Sequence, residues 1–507
     1  MRSKGKINQN LLFARAYEEE VSRQISDDER PAYHLSPRVG WMNDPNGFSW
    51  YQGEYHLFYQ YNPYDIQWDD MHWGHAVSRD LLHWRYLPAA LAPDKPYDTD
   101  GCWSGSAIEL PDGQQLLMYT GIRKLGGESP DALQVQCVAL GDGRDYHKLE
   151  QNPVLTADDL PWGLSPYNFR DPKIWREADG SYRCVVSSCD TEERGRLLLY
   201  RSEDAIHWRF ESILAENDGS LGLMWECPDV FQLDGKDLVL VSPQFMLPEG
   251  FEYHNGNGTV CMIGQLDAER RRFACTCHQS IDYGIDFYAA QTILAPDGRR
   301  IMIGWMQNWD ACQNGNRKDL LWYGQMSLPR ELFLRGGRLC QRPLRELEQY
   351  RRNRVEYQNV SVEENTILEG INGRCAELFI TVRPKDPEKL YQKFALRFAM
   401  NDKYRSSLSF RPHERVVKID RKHSGSRRAI IHQRRCLVPN DKGEITMHVF
   451  LDRFSIEAFL NDGEQVMTAV VLTELSAQEI AFHAIGEVEM DVVMYELALG
   501  KEEDGES

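Results

Sequence analysis

The sequence has neither a long apolar segment nor an excess of basic residues, and the two absences exclude several classes of protein. No stretch approaches the roughly 18 uncharged apolar residues of a membrane-spanning helix, and the first twenty residues are polar and charged, unlike a signal peptide. Asp and Glu number 77 against 58 Lys and Arg, a net charge of −19. Such a surface disfavours nucleic acids and anionic membranes as partners. We therefore expect a cytoplasmic protein with neither partner.

Cysteine is present but lacks the spacing of a disulfide framework. Twelve cysteines are scattered along the chain, as is typical of reduced thiols in a cytosol. The segment Cys275-Thr276-Cys277-His278 resembles half of a metal site, but no second ligand pair follows at a usable spacing. We predict no bound metal.

After Pro31 the sequence has the pattern of an all-β protein. Short runs rich in Val, Ile, Tyr and Trp alternate with Gly, Pro and Asp turns. A turn that ends in glycine precedes an apolar strand at five places: Gln52-Gly53, Asp112-Gly113, Asp179-Gly180, Asp234-Gly235 and Asp297-Gly298. Asp-Gly is a strong hairpin signal, because a two-residue turn of this type needs positive φ at both central positions. Successive glycines lie 55 to 67 residues apart, about enough for one four-stranded sheet each.

Five such units predict a five-bladed β-propeller, although an irregular β-sandwich with hairpins is the competing interpretation. The repeat of residues 78–84 at 202–208 supports the propeller. Later strands show no blade-length repeat, which favours a β-sandwich. The oligomeric state is open, with a homodimer through the sandwich as one possibility. The predicted division is a helical extension at 1–30 with its helix over 7–24, a propeller at 31–343, a linker at 344–354, a sandwich at 355–500 and a disordered tail at 501–507.

Four of the five units carry a polar residue at the same place. Counting back nine residues from each of the first four glycines gives Asp44, Ser104, Asp171 and Glu226. The fifth unit breaks the pattern, since its nearest carboxylate, Asp286, lies twelve residues before its glycine. Equivalent positions in the first strands of a propeller converge on the central channel. Carboxylates gathered there indicate glycoside chemistry, although for any single Asp a turn or cap is the competing interpretation.

A series of ordered motifs covers almost the whole chain. They are His34-Leu35-Ser36-Pro37, Gly40-Trp41-Met42-Asn43-Asp44-Pro45-Asn46-Gly47, Tyr55-His56-Leu57-Phe58-Tyr59-Gln60-Tyr61-Asn62-Pro63, Trp73-Gly74-His75-Ala76, Ser104-Gly105-Ser106-Ala107, Arg170-Asp171-Pro172-Lys173, Glu226-Cys227-Pro228-Asp229, Asp286-Phe287-Tyr288-Ala289, Gly304-Trp305-Met306 and Ser455-Ile456-Glu457. Together they resemble glycoside hydrolase family 32, which contains invertases, sucrose-6-phosphate hydrolases, inulinases and levanases. Arg38 and Ala290, where the family often has proline, lie beside the motifs.

The resemblance implies a five-bladed propeller followed by a β-sandwich, in agreement with the repeat count. It assigns Asp44 as nucleophile, Glu226 as general acid/base and Asp171 as the residue that stabilises the transition state. Nine further residues match positions that line the fructosyl subsite: Asn43, Gln60, Trp68, Trp103, Ser104, Arg170, Cys227, Tyr288 and Trp305. The competing interpretation is blade core for the tryptophans and a small buried hydrophobe for Cys227.

The resemblance predicts a retaining hydrolase that releases terminal β-D-fructosyl units by double displacement, without metal or organic cofactor. Its expected substrate is a small sugar: sucrose, sucrose-6-phosphate or a short fructo-oligosaccharide. Two alternatives remain, a fructosyltransferase with the same carboxylates and a sugar-binding propeller without catalysis. A phosphorylated substrate would need cationic side chains or backbone N–H groups, and the candidates by loop position, unless they are plain surface charge, are Arg123, Lys124, Lys173 and Arg196.

Overall fold

The computed structural model describes residues 10–126, 131–312, 319–425, 431–440 and 442–499. Within these ranges the protein is almost entirely β, preceded by one helix, α1 (Leu11–Ser22). The predicted tail 501–507 and the first nine residues of the predicted extension lie outside the described residues. No helix within the described ranges is long and apolar enough to cross a membrane.

Residues 40–343 form five antiparallel sheets, and the four main strands of each follow one another along the sheet in chain order. A short strand, β19 (Trp322–Tyr323), adds to the first sheet in parallel. The strands of the five sheets are β1 (Gly40–Tyr51), β2 (Glu54–Asn62), β3 (His72–Ser78) and β4 (Arg85–Leu91); β5 (Gly101–Glu109), β6 (Gln115–Lys124), β7 (Ala132–Gly141) and β8 (Tyr146–Lys148); β9 (Phe169–Arg176), β10 (Tyr182–Cys189), β11 (Gly195–Ser202) and β12 (Arg209–Glu216); β13 (Trp225–Leu233), β14 (Lys236–Pro243), β15 (Val260–Leu266) and β16 (Phe273–Ser280); and β17 (Tyr288–Leu294), β18 (Arg300–Trp305), β20 (Arg330–Arg335) and β21 (Arg338–Pro343).

The first strands of the five sheets are neighbours in cyclic order. β1 contacts β5, β5 contacts β9, β9 contacts β13, β13 contacts β17, and β17 contacts β1. Most of their side chains are buried on both faces, as expected for strands enclosed by other strands. Side chains from all five sheets therefore meet in the middle of the domain.

The five predicted hairpin turns exist, but they are of two kinds. At Gln52-Gly53 and Asp234-Gly235 both residues have positive φ, as the predicted two-residue turn requires. The other three turns place only the glycine there, at Gly113, Gly180 and Gly298. In each of these the chain closes with a bond across five residues, as from Glu177 N to the Ser181 carbonyl at 2.8 Å. The longer loop is of the kind built on a type I turn, which demands positive φ only at its last residue.

Residues 351–497 form a two-sheet sandwich around a continuous apolar core. A 3-10 helix, Arg345–Tyr350, joins it to the first domain within the predicted linker. The six-stranded sheet runs β22 (Arg351–Val362), β32 (Val488–Leu497), β23 (Ala376–Pro384), β28 (Ile445–Asp452), β29 (Ser455–Leu460) and β30 (Gln465–Val470), and the five-stranded sheet runs β27 (Gln433–Leu437), β26 (Val416–His423), β25 (Arg405–Arg411), β24 (Lys393–Met400) and β31 (Glu479–Ile485).

A buried group of charged side chains joins the sandwich to the first domain. His34 Nδ1 lies 2.7 Å from Asp452 Oδ2, and His34 Nε2 lies 2.9 Å from Glu457 Oε1. The Arg330 guanidinium bonds to Glu457 Oε2 at 3.0 Å and to Asp282 Oδ2 at 3.0 Å. Since each charge has an opposite partner at hydrogen-bond distance, the interface can bury all five groups.

This group makes stability depend on pH. Burial by itself lowers the pKa of His34, but the hydrogen bonds to Asp452 and Glu457 outweigh it and raise the pKa to about 9. The unfolded chain has the ordinary pKa of about 6.5, so protonated His34 stabilises the fold fully below that pH, and the contribution disappears as the pH rises through 9. We expect the free energy of unfolding, from urea titrations, to fall by about 3 kcal/mol over this interval.

The variant His34→Gln should remove this part of the pH dependence, because glutamine does not titrate. The exposed His147 provides a matched control, and His147→Gln should keep the wild-type slope. An unchanged slope in His34→Gln would show that other groups cause it.

Helix α1 packs against β4 and the loop that follows β2. Its Glu18 is buried and accepts hydrogen bonds from the Ala89 N–H at 2.8 Å and the Tyr61 hydroxyl at 3.0 Å. On its outer face, the Tyr17 ring lies 5.1 Å from that of Tyr64. Tyr64 and Trp68 belong to the connection between β2 and β3, so α1 supports that connection from outside.

Candidate active site

A cavity of about 370 Å³ opens where the first strands of the sheets meet. The residues that line it come from four of the five first strands, from β2 and from the loops around the opening. They are Asn43, Asp44, Gln60, Trp68, Trp103, Ser104, Arg170, Asp171, Glu226, Gln244, Phe245, Asn257 and Trp309. All four residues at the repeated position before the hairpin glycines therefore face one cavity.

Each first strand is interrupted by an irregularity at this position. The pairing register shifts between Met42 and Pro45 in β1, and between Glu226 and Asp229 in β13. Corresponding shifts occur in β5, β9 and β17. Asp171 has φ of 63°, a left-handed conformation that is uncommon for a residue with a side chain. A bulge turns side chains out of the alternation of the strand, and here it directs polar groups into the cavity.

Asp44 is held from three sides. The Ser104 hydroxyl donates to Asp44 Oδ2 at 2.8 Å, the Asn43 amide to Oδ1 at 3.1 Å and the Cys227 thiol to Oδ2 at 3.4 Å. Burial raises the pKa of Asp44, and the nearby Glu226 carboxylate raises it further, against these hydrogen bonds. The carboxylate is thus oriented while it keeps poor solvation, which suits a nucleophile.

Asp171 lies in the same cavity and is fixed through the backbone. The Cys227 N–H donates to Asp171 Oδ2 at 2.9 Å, and the N–H of Asp171 donates to the Thr120 hydroxyl at 3.0 Å. Burial raises the pKa of Asp171; the Arg170 guanidinium lowers it, and Glu226 raises it again. Cys227 contacts both aspartates, one through its thiol and one through its N–H, so it sets their relative position.

Glu226 is placed by one cation and one phenol. Arg170 reaches Glu226 Oε1 with Nε at 3.1 Å and Nη2 at 3.0 Å. The Tyr288 hydroxyl donates to Glu226 Oε2 at 2.6 Å. Arg170 is itself held by Asn168 Oδ1 at 2.8 Å, which leaves its guanidinium fixed between the carboxylates.

Aromatic rings form the wall above the carboxylates. The ring of Trp68 lies 5.8 Å from that of Trp103, and Trp309 lies 6.4 Å from Trp68. Trp103 Nε1 is buried and has no hydrogen-bond partner among the described residues. Trp305 is fully buried behind this wall, with its ring 4.9 Å from that of Trp309.

The structure brings most of the predicted site residues together. Nine of the twelve line the cavity, and Gln60 does so while its amide donates to the Cys102 carbonyl at 3.0 Å. Cys227, Tyr288 and Trp305 are not among the lining residues. Cys227 and Tyr288 instead donate hydrogen bonds to the carboxylates from outside the lining, and Trp305 packs against Trp309.

Sequence reasoning missed four residues that line the cavity, namely Gln244, Phe245, Asn257 and Trp309. Trp309 follows the Gly304-Trp305-Met306 motif closely, and this proximity was the available signal. The other three lie on the long connection between β14 and β15, whose course no local pattern predicts.

The four candidate phosphate-binding cations are not among the lining residues. Lys173 Nζ lies 3.1 Å from Asp229 Oδ2, and Arg196 Nη2 lies 2.7 Å from Asp190 Oδ2. In the segment considered for metal binding, the Nδ1 of His278 lies 2.5 Å from the Tyr253 hydroxyl. The described residues contain no group of three or more His, Cys, Asp or Glu placed to hold a metal ion.

Comparison with known proteins identifies related chains. Residues 34–343 match the model of the glycosyl hydrolases family 32 N-terminal domain, and residues 346–496 match the model of the family 32 C-terminal domain. A raffinose invertase of Escherichia coli is 35% identical over 481 residues, covering 94% of this chain and 97% of the relative. A sucrose-6-phosphate hydrolase of Escherichia coli is 37% identical over 465 residues, with 90% and 91% covered.

Solved structures also resemble this protein over almost its whole length. A family 32 β-fructofuranosidase of Bombyx mori superimposes with a TM-score of 0.82 at 35% identity, over 96% of this chain and 98% of the other. A fructan 1-exohydrolase of Cichorium intybus gives a TM-score of 0.79 at 26% identity, over 94% and 99%. These neighbours support the division into an N-terminal catalytic domain and a C-terminal β-sandwich.

Proposed function

Because the chain belongs to glycoside hydrolase family 32, we propose that Asp44, Asp171 and Glu226 are its catalytic residues. The protein is a fructofuranosidase hydrolase that releases fructosyl units from sucrose and related substrates. The observation that carries the residue assignment is the single cavity in which three carboxylates, distant in sequence, face one another. A retaining glycosidase needs two of them, one to attack and one to move protons.

The reaction proceeds in two displacements. An oxygen of Asp44 attacks the anomeric C2 of the terminal fructosyl unit, the bond from C2 to the bridging oxygen breaks, and Glu226 gives its proton to that oxygen. Glu226 then takes a proton from water, the water oxygen attacks C2, and the bond to Asp44 breaks. The hydrogen bonds to Asp44 support this assignment, since three donors orient its carboxylate within the cavity.

Asp171 and Arg170 act on the ring being transferred. Asp171 accepts from fructosyl hydroxyls, and these bonds strengthen as C2 gains positive charge. Arg170 lies 4.0 Å from Asp171 and 3.0 Å from Glu226, so it can keep both carboxylates close despite their like charge. Asn43, Gln60, Ser104, Trp68 and Trp103 complete the fructosyl subsite.

The five sheets are proposed to be the blades of a five-bladed propeller, within a catalytic domain at 31–343 and followed by the sandwich at 351–497. The cyclic contacts of the first strands support this arrangement. A cytoplasmic location is proposed as well, and the twelve free thiols support it, because reducing compartments keep cysteines in that form. The homodimer through the sandwich stays a prediction, which sedimentation at micromolar concentration tests.

The activity is tested by fructose release from sucrose, sucrose-6-phosphate, 1-kestose and inulin. We expect release from sucrose, with no added metal, and a product of retained anomeric configuration when methanol intercepts the intermediate. Oligosaccharide products in excess of free fructose at high sucrose would instead indicate a transferase. A folded protein that releases fructose from none of the four substrates would contradict the proposal.

A further inference from the structure

The outer part of the cavity is made by residues that the catalytic roles do not use. Phe245 and Trp309 stand at the opening with 65% and 36% of their surface exposed, and both line the same cavity, so they present a shared aromatic surface to whatever enters it. Gln244 and Asn257 line the cavity beside them. Phe245 also has φ of 53°, a conformation that costs a side-chain-bearing residue free energy and is typically kept at binding sites.

Phe245 lies on a folded-back loop between β14 and β15. Met246 and Gly256 exchange two backbone hydrogen bonds, at 2.6 and 3.1 Å, so the loop is a short ladder rather than an open excursion. The Gln244 N–H is bonded to the Met224 carbonyl at 2.9 Å. The aromatic side chain therefore projects from a braced element.

Asp310 locks this loop to the wall that carries Trp309. Its Oδ2 accepts from the Asn257 N–H at 2.6 Å and from the Asn257 side-chain amide at 3.1 Å. The Asn308 amide donates to the Asn257 carbonyl at 2.7 Å. The contact leaves no room for a side chain at Gly256, where an added Cβ would lie 2.1 Å from Asp310 Oδ2. Since Asn257 gives its amide hydrogens to Asp310, its Oδ1 remains available to accept from a sugar hydroxyl.

Trp309 is supported from behind by two buried rings. Its ring lies 4.9 Å from that of Trp305 and is stacked at 6.2 Å on that of Trp41. The indole cannot retreat into the protein, so its open face keeps a fixed position at the mouth. Two aromatic side chains and an amide that line the same opening suit the apolar face and hydroxyl rim of a neutral sugar ring.

The charges of the cavity oppose an anionic group at this place. The lining contains three carboxylates and one cation, and that cation, Arg170, is already bonded to Glu226 and Asn168. A phosphate on the leaving sugar would be repelled by this negative lining. The residues around it that line the cavity would be aromatic and amide side chains, which carry no positive charge to balance it.

We propose that Phe245, Trp309 and Asn257 bind the glycosyl group that leaves, that this group is uncharged, and that Asp310 is the positioning residue that holds the two walls together. The inference rests on the proposed function, because it assigns the side of the cavity beyond the fructosyl unit. Sucrose and its neutral extensions are then the substrate class, in preference to sucrose-6-phosphate.

The wild-type protein tests the charge preference. We expect kcat/KM for sucrose to exceed that for sucrose-6-phosphate by about 10-fold or more, the scale on which one mismatched group is rejected. Equal values, or a preference for the phosphorylated sugar, would overturn this part of the proposal.

Three variants test the site itself, with methyl β-D-fructofuranoside as the second substrate. Its leaving group is too small to contact the outer walls. We expect Phe245→Ala, Trp309→Ala and Asp310→Ala to raise KM for sucrose by about 5- to 50-fold with a smaller change in kcat, while kcat/KM for the methyl fructoside changes less than about threefold. Asp310→Asn, which keeps one acceptor oxygen, should restore part of the affinity. Leu247 is exposed on the same loop but does not line the cavity, so Leu247→Ala is the matched control. It should leave KM and kcat/KM for both substrates unchanged.

The two substrates separate the possible failures. If neither sucrose nor the methyl fructoside is hydrolysed, or if Asp44→Asn hydrolyses both as well as the wild type does, the proposed function itself is wrong. If the methyl fructoside is hydrolysed through Asp44, but the three variants lower kcat/KM equally for both substrates or for neither, then only the proposed site for the leaving group is wrong.

Discussion

We expect Asp44→Asn to lower kcat for fructose release from sucrose by about 10⁴-fold or more, which corresponds to about 5.5 kcal/mol of activation free energy. Asparagine keeps the size of the side chain and one acceptor oxygen, but it supplies no anionic oxygen for attack on C2. Because Ser104 and Asn43 hold the carboxylate in the folded protein, the substituted amide should stay in place and sucrose should still bind. Initial rates and a binding isotherm measure the two effects separately.

The same variant should not be less stable. Burial and Glu226 raise the pKa of Asp44, so ionised Asp44 costs folding free energy at neutral pH. A neutral amide removes that cost, and we expect a Tm equal to or above that of the wild type.

Asp286→Asn is the matched control for Asp44→Asn. Asp286 is fully buried and lies outside the cavity, where its carboxylate binds Arg421 and accepts from the Val470 N–H at 2.7 Å. We expect this variant to lose stability by about 3 kcal/mol, since it leaves a buried cation without its charge partner, and to keep its kcat at low temperature. If Asp44→Asn retains near-normal turnover, Asp44 is not the nucleophile.

Glu226→Gln should lower kcat for sucrose by about 10²- to 10⁴-fold, the usual contribution of a general acid/base. The loss should depend on the leaving group. A 4-nitrophenyl fructoside, whose phenolate departs without protonation, should lose much less in the first step. Azide, which attacks without a base, should restore turnover and give a fructosyl azide of retained configuration, detected by NMR.

The pH profile provides a second readout for Glu226→Gln. The nucleophile has to be ionised to react, and burial raises the pKa of Asp44. In the same step Glu226 carries the proton that it donates. Glutamine supplies no such proton and does not titrate, so in Glu226→Gln the acid limb of kcat/KM should stay in place while the alkaline limb disappears. Glu331→Gln, a buried glutamate outside the cavity that pairs with Arg342, should leave both limbs in place. If Glu226→Gln lowers kcat equally for sucrose and for the 4-nitrophenyl fructoside, and azide does not restore turnover, Glu226 is not the general acid/base.

Sequence reasoning located the three carboxylates because their signal is local. Each lies in the first strand of a unit, nine residues before a glycine with positive φ, and a hairpin can be recognised from a few neighbouring residues. The repeat then implied convergence without any knowledge of side-chain contacts. The competing interpretation of Trp305 as core matches its full burial.

The fifth unit shows where local reasoning ends. The sequence offers Asp286 near the expected position, but its carboxylate binds Arg421 of the second domain, 135 residues away. Tyr288 of this unit instead lies behind the cavity lining and donates to Glu226, 62 residues before it in the chain. Neither partner follows from spacing, because both depend on how distant segments pack.

By itself, the sequence determined the all-β character, the five hairpin units and the register that brings Asp44, Asp171 and Glu226 together, since turn conformation and strand alternation are properties of short segments. Only the tertiary structure decided which groups orient those carboxylates and what closes the cavity. Cys227 between two aspartates, and Asp310 between two walls, act through contacts across 56 and 53 residues of chain. Such contacts form only when whole sheets are packed, and their energy is not encoded in any local pattern.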